Sequence, residues 1–225
     1  MRMSSEGVEM LSDFELELEY IKAMGLGEFD DQGNLVGIYP YYVMRRNATT
    51  GILESDGGIT VGYSFWISQA VYNQNDIARD IINRYASGAS FIPSHTNNAH
   101  RVPNSLLMPI NEARDLLSNT LPKFEAAVNS FLLEHRVLVE QHQFDALVSF
   151  TYNFGENTWT LPDRADWHIR QLIINGPPFI PGDTEKPEPG TVRYVFASFA
   201  QNQGRRSAEA EIFIYGHGWW KPELN

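Results

Sequence analysis

The hydrophobic period changes near residue 68, and that change limits the possible folds more than any other feature of the chain. Between residues 29 and 67 the pattern is β-like. LVGIYPYYVM and ITVGYSFWI are rich in β-branched and aromatic residues and predict two strands, with turns at DDQGN and RRNATTG. Pro40 has no N–H to give to a ladder, so the first run predicts an edge strand or a bulge. Beyond residue 68 the apolar residues return every third or fourth position. NDIARDIINRYA predicts a short helix. PINEARDLLSNTLPKFEAAVNSFLLEH sets Ala113, Leu116, Leu117, Leu121, Phe124, Val128 and Phe131 on one stripe, with Pro122 expected to kink or split the helix. QHQFDALVSFTYNFG predicts a central buried helix through Phe144, Leu147, Val148 and Thr151 that stops at Gly155.

The ends and connectors fit around this change. Residues 5–15 predict a leading helix capped by Ser4 or Ser5, with Glu6 at its positive end and Val8, Leu11 and Phe14 on one face. LELEYIKAM reads equally as strand or helix. Residues 87–105 and the Pro- and Gly-rich 176–190 predict exposed connectors, and residues 191–215 a last helical segment. The class is therefore α+β: one domain over residues 1–225, with the first helix and a β lobe in 1–67 and a helical lobe in 68–225. A groove between two such lobes is expected to take an extended ligand.

Composition removes several function classes. With no cysteine there is no disulfide framework and no thiolate chemistry. A net charge of −11 leaves no broad basic surface for nucleic acid, so no nucleic-acid partner is expected. No apolar run reaches the ~18 residues of a membrane span, so no membrane insertion is expected. MRMSSEGVEMLSDFE lacks the apolar region of a secretory signal, so synthesis in the cytoplasm without a signal peptide is expected. His95, His100, His135, His142, His168 and His217 are scattered without ligand spacing, so neither a metal nor another cofactor is expected. Asn47-Ala48-Thr49 fits the glycosylation sequon, a common chance match.

The stretch GILESDGGITVGYS crowds Glu54, Asp56 and Thr60 around a Gly-Gly turn. Turn chemistry alone explains acids and glycines there. A hydrolytic site explains them equally, because two carboxylates and a hydroxyl are the groups that general acid–base hydrolysis requires.

Four segments, in order along the chain, bear on that choice. ITVGYS (59–64) is similar to the T-I-G-Y-G strand of the phage-type lysozymes of glycoside hydrolase family 24. PINEARDLL (109–117) resembles that family's EA-x-x-LL helix start. QFDALVSFTYNFG (143–155) resembles its Q-x-DALVSF-x-x-N-x-G central helix, and RRSAEAEIFIYG (205–216) its closing RR-x-x-E helix. The resemblance implies a lysozyme-like fold, with a small β-hairpin lobe, a larger helical lobe and the active-site cleft between them. It implies hydrolysis of the β-1,4 bond between N-acetylmuramic acid and N-acetylglucosamine by a Glu, a second carboxylate and a Thr. A neutral acid protonates the leaving oxygen, and the other two groups hold a water on the opposite face of the sugar.

Thr60 carries over as the threonine, with Ser64 where the family usually has glycine. Glu15, after Phe14 at the end of the leading helix, carries over as the acid, although Leu16 stands where glycine is usual; Glu28 is its rival. Glu54 matches the family spacing for the second carboxylate and Asp56 the side-chain length, and both stay open ahead of Asp31. Asn153 and Gln143 on the central helix are candidates for substrate binding. Tyr39, Tyr41, Tyr42, Phe65 and Trp66 are candidates for stacking on sugars or for the core. Arg205 and Arg206 are expected to pair with Glu209.

The implied partner is the peptidoglycan glycan strand, met after release or delivery to the wall. A phage endolysin and a delivered bacterial toxin both fit; the pI of about 4.9 points to a delivered effector, with an immunity or inhibitor protein as a candidate partner, or to a virion-borne enzyme. A catalytically inactive glycan-binding or assembly domain, or a hydrolase of another β-1,4-glycan such as chitosan, is the alternative.

Overall fold

The computed structural model describes residues 1–16, 18–46, 49, 53–91, 101–164, 167–199 and 202–216. The chain divides into two compact units: Met1–Phe14 with Thr120–Asn225, and Glu15–Asn119. The fold is α+β.

The Glu15–Asn119 unit holds the strands. The ambiguous LELEYIKAM is helical over Leu18–Ala23 (α2; α1 is Ser5–Leu16). β1 (Gly27–Phe29) and β2 (Leu35–Ile38) flank the DDQGN turn, where Asp30 Oδ1 accepts the N–H groups of Gln32 (2.9 Å) and Asn34 (2.8 Å). The single strand expected at 35–44 is interrupted at Pro40. β2 ends at Ile38, Tyr41 makes isolated bridges to Thr60 and Arg101, and the chain resumes as β3 (Met44–Arg46), paired with β4 (Leu53–Ser55).

The strand expected over 59–67 is instead a hairpin: β5 (Gly58–Val61) turns back into β6 (Phe65–Ser68). The reversal needs positive φ, met at Gly62 (53°) and Ser64 (56°), the second being where the family's glycine is replaced. Ser68 Oγ then caps α3 (Gln69–Gln74), and Asn75 caps α4 (Asp76–Tyr85), whose Ala78, Ile81, Ile82 and Tyr85 are buried along one face. β7 (Met108–Pro109) adds to β2, completing a β1-β2-β7 sheet.

α5 runs from Ile110 to His135 without splitting at Pro122. A mid-helix proline costs roughly 3 kcal/mol. Burial of Leu116, Leu117, Leu121, Phe124, Val128 and Phe131 on both sides of it offsets that cost.

The other unit is helical and built around α6 (Gln141–Phe154). Residues Phe144 to Thr151 are all buried, as the sequence predicts for a central helix, and Gly155 ends it at φ 92°. Asp145 lies inside this buried stretch because it is fully used. It accepts from Ser4 N (3.0 Å), Ser4 Oγ (2.5 Å) and Gln141 Nε2 (2.8 Å). Ser4 Oγ in turn accepts from Gly7 N at 3.0 Å and caps α1. A Cβ on Gly7 would meet Asp145 Cγ at 2.7 Å, so only glycine allows this approach. α7 (His168–Asn175) follows.

The last helical segment is two helices, α8 (Val192–Ala197) and α9 (Gln203–Tyr215), because Asn202 adopts the left-handed conformation at φ 55°. On α9, Arg205 and Arg206 pair with Glu209 as expected, at 3.0 and 2.9 Å. The Arg206 guanidinium also stacks on Phe150 and Phe154, 4.9 and 5.1 Å from the ring centres.

Candidate active site

The β5–β6 hairpin has two unlike faces. Ile59, Val61 and Ile67 are fully buried on one. On the other, strand register sets Tyr41, Thr60 and Trp66 in a row across three chain segments, since directly opposed residues share a face. Thr60 is fixed by a backbone exchange with Tyr41 (2.8 and 2.9 Å). Its side chain is 2% exposed, and Oγ1 has no hydrogen-bond partner among the described residues. A buried hydroxyl of this kind costs about 1–3 kcal/mol when left unsatisfied, so its placement asks for a reason beyond packing.

The carboxylates differ in setting. Asp56, half-buried, follows β4, and its Oδ1 accepts the indole N–H of Trp66 at 3.0 Å, which ties it to the hairpin carrying Thr60. Glu54 lies on β4 opposite Arg45 and is exposed. Glu15 is half-buried at the end of α1, and Ser64 Oγ stands 3.5 Å from its carbonyl oxygen, at the outer limit of a hydrogen bond. The structure therefore brings the end of α1 to the turn of the hairpin. The rival Glu28 is exposed on β1 and accepts the hydroxyl of Tyr39; this bond raises the Tyr39 pKa above its ordinary value. Asp31 is exposed in the DDQGN turn.

Gln143 and Asn153 belong to the helical unit. Gln143 Oε1 accepts Glu140 N–H at 2.9 Å in a capping box, a structural use of that side chain. Asn153 Oδ1 is buried without a hydrogen-bond partner among the described residues. Of the other aromatic candidates, Tyr42 is core at 3% exposure. Arg101 lies over the Tyr39 ring, 3.2 Å from its centre. Near the start of α5, Tyr85 Oη donates to Glu112 at 2.5 Å and Arg84 donates to the same carboxylate. Burial, then the Glu112 bond, pushes the Tyr85 pKa up to about 12, while the Tyr85 hydroxyl, ahead of Arg84, holds Glu112 below its usual range.

Among the described residues no group of three or more His, Asp or Glu side chains could hold a metal ion, and no helix is long and apolar enough to cross a membrane. His95, His100, His217 and the Asn47-Ala48 part of the sequon lie outside the described residues.

The Asp56–Trp66 bond escapes a reading of the sequence as a single strand, which puts Thr60 and Trp66 far apart instead of opposite. The signal for it is the Gly62-Tyr63-Ser64 turn, with a glycine and a glycine-replacing serine bracketing one residue.

The phage lysozyme family model matches residues 52–164, a span that includes the hairpin, α5 and α6. The chain belongs to the phage lysozyme family. Members of this family are peptidoglycan hydrolases, and the Thr60 hairpin lies inside the matched span. Solved structures similar to this phage lysozyme family member include the muramidase domain of SpmX from Asticaccaulis excentricus, at 17% identity and TM-score 0.44, covering 95% of this chain and 97% of that one. The endolysin of Escherichia coli O157:H7 phage FAHEc1 is similar at 17% identity and TM-score 0.42, covering 97% and 96%. No curated protein matches the sequence significantly.

Proposed function

We propose that the chain is an active muramidase that cleaves the β-1,4 bond between N-acetylmuramic acid and N-acetylglucosamine. The observation that carries this reading is the buried Thr60 hydroxyl, without a hydrogen-bond partner among the described residues, on the hairpin that also holds Asp56. Glu15, at the end of α1, gives its proton to the leaving glycosidic oxygen. Asp56 and Thr60 Oγ1 hold a water against the opposite face of the sugar, and Asp56 takes the proton as the water attacks the anomeric carbon. The configuration at that carbon inverts, Asp56 releases its proton to solvent and Glu15 is reprotonated from solvent. Asp56 is preferred to Glu54 because it is half-buried with its oxygen bonded to Trp66 of the hairpin, whereas Glu54 is exposed. The enzyme is made in the cytoplasm and acts on the wall after release or delivery. Its acidic pI suits an effector restrained by an immunity protein.

Turbidity of a peptidoglycan suspension tests the reading. Wild type is expected to clear it. Glu15→Gln, Asp56→Asn and Thr60→Val are each expected to slow clearing by about 100-fold or more, and Glu54→Gln by less than about twofold. Full activity in Glu15→Gln would move the acid to Glu28. A wild type that clears no wall type but still binds the glycan would leave a binding domain instead.

A further inference from the structure

Trp66 has no role in the mechanism above, yet its setting is unusual for a surface tryptophan. It is 42% exposed, directly opposite Thr60 in the β5–β6 register. Its indole crosses to the neighbouring strand and lies over Gly58. A Cβ on Gly58 would fall 2.2 Å from Nε1 and 2.4 Å from Cε2, so this is the position at which only glycine admits the ring. The far end is tied by the 3.0 Å bond from Nε1 to Asp56 Oδ1. One side of the ring is therefore packed on backbone and the N–H is committed, while the residue as a whole stays 42% exposed. Exposing that much aromatic surface forgoes burial that would otherwise stabilise the fold. Fixing it at two points, Gly58 and Asp56, prepays the ordering that a ligand would otherwise demand.

We propose that Trp66 is a stacking platform for one pyranose ring of the glycan, with Asp56 and Gly58 as the residues that position it. The proposal rests on the muramidase reading and names a sugar-binding residue for that site. A β-1,4-linked hexopyranose carries its hydroxyls around its rim and C–H groups on its faces. Those C–H groups, slightly positive, suit the negative face of an indole. A ring seated on Trp66 lies beside the Thr60 hydroxyl in the same cross-strand row and beside the carboxylate that the indole holds. Trp66 would then link binding to chemistry, because its face takes the sugar while its N–H aims Asp56.

The two functions separate by substitution. Trp66→Phe keeps a ring and loses the N–H, so kcat should fall while KM stays within about twofold. Trp66→Ala loses both, so KM should rise about five- to tenfold as well. Gly58→Ala keeps the indole but displaces it, and should raise KM like Trp66→Ala. Binding is read directly by titrating an N-acetylglucosamine–N-acetylmuramic acid tetrasaccharide into Glu15→Gln and into Glu15→Gln/Trp66→Ala by calorimetry. The second variant is expected to bind about five- to tenfold more weakly, and the two unfolding temperatures should match within a few degrees. Equal affinities would overturn the platform and leave the hydrolase reading standing on wall clearing by wild type. No tetrasaccharide binding by Glu15→Gln, with wild type still clearing walls, would overturn it likewise. If wild type neither binds nor clears, both readings fall. Binding that depends on Trp66 without clearing would keep the platform and remove the catalysis.

Discussion

The α6–α9 contact and the β5–β6 hairpin both bury polar side chains, one as a shared ionic cluster and the other as a single hydroxyl. Between α6 and α9, Glu209 Oε1 collects Ser149 Oγ (2.6 Å), Arg205 Nε (3.0 Å) and an Arg206 guanidinium N–H (2.9 Å), all buried. Arg205 also donates to the Ser149 carbonyl at 2.7 Å. Oε1 is shared among three donors, which fastens one helix to another, while Glu209 Oε2 is buried without a hydrogen-bond partner among the described residues. In the hairpin, Thr60 Oγ1 is equally buried and receives nothing from the described residues, while Trp66 stands half out of the surface. A carboxylate shared by two guanidinium groups makes structure; a hydroxyl that is its side chain's one polar group, left over beside Trp66 and Asp56, is suited to a ligand.

Substitution should break the two regions differently. The largest expected effect is at Glu209→Ala, which removes the buried carboxylate that two guanidinium groups share and should cost about 3–5 kcal/mol by denaturant unfolding. Thr60→Val is the contrast. It should leave stability unchanged or raise it by up to about 3 kcal/mol, because an unsatisfied buried hydroxyl is removed and no hydrogen bond among the described residues is lost, yet lower activity by about 100-fold. A large loss of stability in Thr60→Val would place Thr60 with the structural groups. Gly7→Ala should be destabilising by roughly 1–3 kcal/mol, since the new methyl group meets Asp145 Cγ at 2.7 Å at the start of α1.

A smaller effect comes from Glu112, a surface counterpart of the buried cluster. Its folded pKa is depressed, so its contribution is present above the ordinary carboxylate value of 4.5 and is lost as pH falls through the lower folded value. Glu112→Gln should therefore lower the unfolding temperature slightly at pH 7 and not at all at acid pH below that window. An equal decrease at both would assign the loss to packing.

The two regions also differ in how far the sequence discloses them. The RR-x-x-E spacing sets Arg205, Arg206 and Glu209 on neighbouring turns of one helix, so their pairing follows from helical geometry. α4 and α6 are legible for the same reason, since period and terminal residues are local signals. Gln143 could have been read as a helix cap from Glu140 three residues before it. The hairpin is less legible because its chemistry depends on pairing between strands. ITVGYSFWI has the composition of one strand, and the reversal rests on the φ values of Gly62 and Ser64. Thr60 is identifiable from the pattern around it. That Asp56 rather than Glu54 touches Trp66 depends on where β4 ends and β5 begins, which composition does not encode. Pro40 signals an interruption, but which strands the chain then pairs with is decided by tertiary packing.

Product analysis of digested peptidoglycan tests the central claim most directly. Purified wild type incubated with unmodified walls should release fragments with N-acetylmuramic acid at the new reducing ends, formed first as the inverted α-anomer, and Glu15→Gln should release none. New reducing ends on N-acetylglucosamine, or the same fragments from Glu15→Gln as from wild type, would contradict it.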